Sequence, residues 1–229
     1  MGYAKEHGIE AICFDIDGTF YPKWKMDLIV LKASIFHIPF ALKYNKLRQL
    51  IRHNDGYKNL EPMSYEEISE RAARYFYSND SKEYQEKFRA KEKKVFHDSY
   101  LRQYAGLKSA PGVDEALAIA RKEGYTMAAL SDFPIGVKLK AMKIEKYFDV
   151  VLSSEDIGHF KPSQTPFVEL CKALSVEEDK VLYVGDSYKK DVLGARNAGM
   201  HTCLMFASDG DNDADICSKD WSDFIRQVF

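Results

Sequence analysis

The chain predicts an α/β fold with a parallel sheet and one all-helical insertion, on three observations. From residue 111 to 205, helical periods alternate with short apolar runs, the rhythm of repeated β-α units covering a parallel sheet on both faces. The apolar run Ala11–Phe14 has the composition of a strand buried on both sides and belongs to the same sheet. Between these parts, residues 22–105 are helical in period throughout and contain no alternating strand pattern. Residues 1–21 and 106–229 are therefore predicted to form the core. Residues 22–105 are predicted to be a helical cap inserted after the first strand.

Within the insertion, Leu28, Leu31, Ile35 and Ile38 recur at three- and four-residue steps, and the helix they mark is expected to end near Pro39. Ser64 followed by Glu67 is a capping box that opens a helix burying Ile68, Ala72, Tyr75 and Phe76. Asp80 or Ser81 starts another helix, with Tyr84, Phe88 and Val95 inward. The aromatic residues here are expected to form the core of a helix bundle. After the insertion, residues 113–122 form a helix closed by Gly124. Strands are expected at 125–130, 150–152, 181–184 and 201–205. Helices are expected at 134–142, from Thr165-Pro166, where a proline suits the first turn, and at 191–197.

Composition sets bounds. Hydrophobic residues make up 45% and charged residues 30%, which is the balance of a globular domain. The net charge of −2 gives no electrostatic reason to expect a nucleic-acid or membrane partner. Charge is uneven, however: residues 22–105 carry 17 Lys and Arg against 11 Asp and Glu. Cys13, Cys171, Cys203 and Cys217 lie far apart with no Cys-x-x-Cys pair, so neither structural zinc nor a disulfide framework is expected. The polar first nine residues do not resemble a secretory leader. Residues 28–42 are too short and too interrupted to span a bilayer. A reduced, cytoplasmic protein is expected.

Parallel sheets bind ligands at the carboxyl ends of their strands, so the residues following each apolar run carry the functional reading. These are Asp15-Ile16-Asp17-Gly18-Thr19, Ser131-Asp132 and Gly185-Asp186-Ser187, with Lys161 in the loop after the 150–152 strand. Gly18 permits a turn that a side chain would resist. Two converging carboxylates can hold a hard cation or divide the labour of nucleophile and general acid. A lysine and a serine hydroxyl beside three carboxylates suit an anion bound across a cation. Magnesium is typically held by one or two carboxylates plus substrate phosphate. Phosphoryl transfer needs charge neutralisation, an in-line nucleophile and a proton for the leaving oxygen, and each role has a candidate.

Asp15-x-Asp17-Gly18-Thr19, Ser131 after a strand, Lys161-Pro162, and Gly185-Asp186-Ser187 with Asp191 resemble the four motifs of the haloacid dehalogenase (HAD) superfamily. The resemblance extends over essentially the whole chain, including the inserted cap and the continuation Val192-Leu193-Gly194-Ala195-Arg196-Asn197-Ala198-Gly199-Met200. It implies a HAD-like core with a Rossmann-like sheet. It also implies an aspartyl-phosphate on Asp15, and a proton from Asp17 for the leaving oxygen before Asp17 activates water. Mg²⁺ would be held by the Asp15 carboxylate, the Asp17 carbonyl and Asp186, with Asp191 near the metal or orienting Lys161. Ser131, the Asp132 backbone, Gly18 and Thr19 would bind phosphate, and Lys161 would offset charge on the nucleophile. Dehalogenases of the superfamily carry Tyr where this chain has Asp17, so phosphate esters are the expected substrates. A sugar phosphomutase, or a non-catalytic module that binds phosphometabolites, is the alternative reading.

Two positions depart from the family pattern: Lys190 stands where Asn is usual, and Asp132 where Asn is frequent. Tyr21, Lys23 and Trp24 begin the cap and are candidates to face substrate. Phosphoglycolate, sugar phosphates and nucleoside 5′-monophosphates all fit a positively charged cap, and a small phosphorylated metabolite is the only partner expected. The acidic run from Asp209 to Asp215 lacks the Gly and Glu of a calcium loop and is expected to be a solvated loop. Residues 91–94 read as a solvated helix face. His37, His53 and His97 have no partner at ligand spacing.

Overall fold

The computed structural model describes residues 2–133, 135–207 and 213–229, without the side chains of residues 100–102. Residues 209–212 of the acidic run and the expected helix start at Pro134 lie outside the described residues. The described strands are β1 (Ala11–Phe14), β2 (Thr126–Ser131), β3 (Val150–Ser153), β4 (Val181–Gly185), β5 (His201–Met205) and β6 (Ile216–Ser218). They form one sheet in the order β3-β2-β1-β4-β5-β6. Every neighbouring pair is parallel.

The chain steps outward from β1 to β2 and β3, then returns to lay β4 against the other side of β1. The order reverses there, and a crevice opens at the carboxyl ends of strands on either side of such a switch. Register places Phe14 opposite both Ala129 and Val184. Asp15, the end of β2 and the end of β4 therefore meet on one rim.

Side chains alternate across a strand, and both faces of this sheet are covered. Ile12, Phe14, Met127, Ala129, Leu182 and Val184 join one apolar cluster, while Ala11, Cys13, Ala128, Leu130, Val181 and Tyr183 join another. That is why β1 reads as an unbroken apolar run. Phe14 meets Trp221 and Phe224 at ring-centroid distances of 6.2 and 6.3 Å. Both rings come from the terminal helix Trp221–Val228, whose N-terminus is capped by the Asp220 side chain accepting from Asp223 N–H.

All described elements from residue 22 to 105 are helical, as the periodicity predicts. The Ser64–Glu67 capping box forms, with both reciprocal bonds present. The apolar stripe of the first helix is placed differently. Helix Lys23–Ser34 buries Met26, Ile29 and Ala33, and leaves Leu28 and Leu31 exposed. Ile35 and Ile38 are exposed as well. The first helix ends at Ser34, a 3₁₀ turn follows over Ile35–His37, and Pro39 lies in the first turn of the next helix, Ile38–Asp55; its missing N–H is one that a first turn leaves unbonded anyway. Tyr44, Leu47, Phe88 and Phe96 join the apolar cluster that covers one face of the sheet, so insertion and core share apolar packing.

Several elements lie outside the expected ones: β6, the helical turns Tyr3–Glu6 and Ser154–Ile157, and helix Trp221–Val228, although Trp221, Phe224 and Val228 recur there at helical spacing. Strand β6 is only three residues long, too short for any period to show. The helix expected at 191–197 begins earlier, as a π-turn over Tyr188–Val192. No described helix is long and apolar enough to cross a membrane.

Candidate active site

Asp15 is the first residue past β1, and its backbone N–H still bonds the Val184 carbonyl at 2.9 Å, continuing the ladder into the rim. Its carboxylate is buried. Lys161 Nζ donates to Asp15 Oδ1 at 2.6 Å, and Thr19 Oγ1 donates to Asp15 Oδ2 at 3.2 Å. The same ammonium donates to Asp191 Oδ1 at 2.6 Å and to the Tyr183 hydroxyl at 3.0 Å. Lys161 is thus a fully enclosed cation between two carboxylates. Burial pulls its pKa down, but Asp15 and Asp191 outweigh that and hold it well above the usual lysine range. Asp191 has its other oxygen on the Ser187 backbone N–H at 3.0 Å.

Asp17 faces elsewhere. Ser131 Oγ donates to its Oδ2 at 2.9 Å, Lys138 Nζ donates to the same oxygen at 2.5 Å, and the Tyr21 hydroxyl donates to its Oδ1. Burial would raise the Asp17 pKa, yet the Lys138 ammonium and the hydrogen bonds from Lys138, Tyr21 and Ser131 bring it below the usual carboxylate value. Asp15 behaves in the opposite way. Burial, reinforced by Asp191 and Asp17 against the opposing Lys161, lifts its pKa to about 7. Asp186, partly buried and repelled by Asp15, is raised to about 6.

The turn between these carboxylates needs its glycine. Gly18 has φ +106°, and a Cβ there would run into the Asp186 carboxylate. Gly185 is equally constrained: a Cβ would strike the Asp191 side chain. Both glycines let carboxylates approach the backbone closely.

The donor set fits a hard divalent cation. Oxygens of Asp15, Asp186 and Asp191 lie within 4.8 Å of one another. Hard oxygen ligands are what magnesium takes. Burial is the first cause that raises the pKa of all three carboxylates, Asp15, Asp186 and Asp191. Asp191 has one oxygen on Lys161 and the other on Ser187 N–H, and the two Asp15 oxygens likewise accept from Lys161 and Thr19. The carboxylate of Asp17 is engaged by Ser131, Lys138 and Tyr21 and is not part of that cluster.

Both oxygens of the Asp132 side chain are taken by donors of the protein. Its Oδ2 accepts from Arg52 at 2.7 Å and its Oδ1 from the Lys161 backbone N–H at 3.2 Å. Burial works against its ionisation, but Arg52, Lys161, Lys190 and Arg48 hold its pKa far below the usual range. Lys190, the other departure, stands 4.0 Å from the same carboxylate.

The three candidates at the start of the insertion separate. Tyr21 is buried and bonded to Asp17. Lys23 is exposed and paired with Asp27 at 2.7 Å, and Trp24 is 63% exposed. Neither of those two is brought to the site. Sequence reasoning passed over Lys138, Tyr183, Arg48 and Arg52. Lys138 sits on the short helix Gly136–Met142, where a lysine reads as solvated. The two arginines reach the rim from helix Ile38–Asp55, 84 and 80 residues away along the chain, and Arg48 Nη2 donates to the Asp132 carbonyl at 2.7 Å. The Asp213 and Asp215 side chains at the end of the acidic run are held by protein donors: Tyr188 bonds Asp213 at 2.6 Å and Thr202 Oγ1 bonds Asp215 at 2.9 Å.

The fold and this rim of carboxylates are those of a known class. Residues 9–199 match the family model of the haloacid dehalogenase-like hydrolases. The chain belongs to that family, and within it sides with the phosphatases. It is 26% identical over 227 residues to a glyceraldehyde 3-phosphate phosphatase of Pyrococcus furiosus, spanning 95% of this chain and 88% of that one. It is 34% identical over 115 residues to a plasmid-encoded phosphoglycolate phosphatase of Cupriavidus necator, spanning 48% of this chain and 49% of the other. Its backbone also follows that of a 2-haloacid dehalogenase from Pseudomonas syringae pv. Tomato DC3000, with a TM-score of 0.65 at 21% identity, over 96% of this chain and 97% of that one. That last likeness is one of fold.

Proposed function

We propose that the protein is a Mg²⁺-dependent phosphohydrolase that cleaves a phosphate monoester of a small metabolite through an aspartyl-phosphate on Asp15. The observation that carries this reading is the division of the two neighbouring carboxylates. Asp15 is paired with Lys161 and clustered with Asp186, whereas Asp17 is held apart by Ser131, Lys138 and Tyr21. This division supports attack by one carboxylate and proton transfer by the other.

In the first half, a carboxylate oxygen of Asp15 forms a bond to phosphorus as the ester P–O bond breaks. The departing oxygen takes its proton from Asp17, whose hydrogen bonds favour the ionised form in the free protein and which therefore takes up that proton as the anionic ester binds beside it. In the second half, Asp17 accepts a proton from water, and the water oxygen displaces Asp15 from phosphorus. Phosphate is released and the Asp15 carboxylate restored. Lys161 offsets negative charge at the nucleophile, and Ser131 is within reach of the phosphoryl oxygens once its hydroxyl turns from Asp17. A bound Mg²⁺, held by Asp15, Asp186 and the Asp17 carbonyl, would neutralise charge on the phosphoryl group.

Three-carbon or sugar phosphates and phosphoglycolate are the favoured substrate class, by likeness to the relatives. The excess of Lys and Arg in residues 22–105 supports an anionic ligand. The test is Asp15→Asn assayed on p-nitrophenyl phosphate with Mg²⁺. A loss of about a thousandfold or more, about 4 kcal/mol of barrier, is expected. Retained turnover overturns the assignment. A panel of phosphorylated metabolites read by phosphate release then identifies the substrate.

A further inference from the structure

We propose that Lys138 is a positioning residue for Asp17, aiming its carboxylate at the leaving oxygen and at the attacking water. The inference rests on the phosphohydrolase reading above and adds to it a residue outside the four motifs.

Lys138 is fully buried. Burying an ammonium is costly unless it is paired and hydrogen-bonded, so a lysine in such a place is held for its partner. That partner is Asp17 Oδ2, at 2.5 Å. The ammonium also lies 5.5 Å from the centroid of the Phe133 ring and 5.7 Å from that of Tyr104. Aromatic faces favour a cation without taking its hydrogen bonds. The side chain is thus walled by rings and directed at one carboxylate.

Asp17 needs such direction. A carboxylate that must serve one oxygen to a leaving group and then to water loses rate when its plane swings. Tyr21 fixes Oδ1, while Lys138 and Ser131 converge on Oδ2. When a phosphoryl group engages the Ser131 hydroxyl, Ser131 no longer holds Asp17. Lys138 is then the donor left on Oδ2, so its share of the positioning falls where the chemistry occurs. Removing it leaves Tyr21 alone to set the angle.

The test compares wild type, Lys138→Met and Lys138→Arg on p-nitrophenyl phosphate and phenyl phosphate, with circular dichroism confirming the fold. Phenol is the poorer leaving group and needs the Asp17 proton more. In the Met variant, kcat is expected to fall about a hundredfold on phenyl phosphate and about tenfold on p-nitrophenyl phosphate, with KM held within about twofold. The phenyl-to-nitrophenyl ratio of kcat/KM therefore drops about tenfold, and Arg recovers part of it. An unchanged ratio means the loss is structural and overturns the proposal, and so does a ratio that rises. If the Met variant does not fold, Lys138→Gln, which keeps a neutral N–H donor, carries the same readout. Wild-type protein that hydrolyses neither ester overturns the phosphohydrolase reading itself, an outcome distinct from an unchanged ratio.

Discussion

Arg52 Nη2 donates to Asp132 Oδ2 across 2.7 Å, tying helix Ile38–Asp55 to the loop that follows β2. Under the proposed function, the contact would let a carboxylate stand next to Ser131 with little repulsion of a phosphoryl group, since both Asp132 oxygens accept from donors of the protein. It also makes the pair a staple between insertion and core. Truncating one partner of a buried pair leaves the other charge uncompensated. Arg52→Ala is expected to cost about 3 kcal/mol of stability. Asp132→Asn removes the charge from the other side and is expected to cost about 1 kcal/mol. Urea midpoints of the two variants give the comparison, and an unchanged midpoint in Arg52→Ala would contradict the staple.

Lys161 is the second staple, and a more severe one. It is enclosed between Asp15 and Asp191 with both distances at 2.6 Å. Lys161→Met should leave two buried carboxylates facing each other, destabilise the protein by about 4 kcal/mol and abolish measurable turnover. Mg²⁺ should recover more stability in this variant than in wild type, because a cation at Asp15 and Asp186 relieves the same repulsion. Thermal melts with and without Mg²⁺ read this directly. An identical Mg²⁺ shift in the two proteins would argue against a cation among these carboxylates.

The rim was legible in the sequence because its side chains directly follow strands, and strands buried on both faces stand out as apolar runs. Asp15, Ser131 and Asp186 could be placed from such runs alone. Lys138, Arg48 and Arg52 could not. Nothing local distinguishes a lysine aimed inward on a seven-residue helix from a solvated one, and the arginine contacts span 80 and 84 residues of chain. The stripe Leu28, Leu31, Ile35 and Ile38 misled for a related reason. Periodicity shows that a helix has an apolar side, whereas burial depends on which side meets the core, and here that side is Met26, Ile29 and Ala33. The extra strand β6 was too short to carry any period.

Gly18→Ala tests the turn itself. The backbone there is at φ +106°, a region that L side chains rarely adopt, and the added methyl collides with Asp186. Strain alone should cost on the order of 2 kcal/mol. Displacement of Asp186 should weaken Mg²⁺ binding as well, which plain strain would not. Calorimetric titration of Mg²⁺ is expected to show at least about a tenfold loss of affinity. Unchanged affinity would mean that Asp186 does not ligate from this position.

Glu92 gives the pH dependence. It closes helix Lys82–Glu92 and lines a small cavity between insertion and core with Tyr44, Arg48, Arg71 and Glu155. Burial, and then repulsion from Glu155, raise its pKa to about 7, against the Tyr44 hydrogen bond and the charges of Arg89 and Arg48. An ordinary glutamate titrates near 4.5. The folded state therefore binds this proton more tightly than the unfolded chain. Its contribution is fully present below about 4.5 and is lost as pH rises through about 7. From this group, the protein should lose stability between pH 5 and pH 8, on the order of 1 kcal/mol. Glu92→Gln holds the neutral form at every pH and should flatten that part of the slope. Urea midpoints of both proteins at the two pH values decide it. Parallel behaviour of wild type and the Gln variant would show that Glu92 ionises normally in the folded protein.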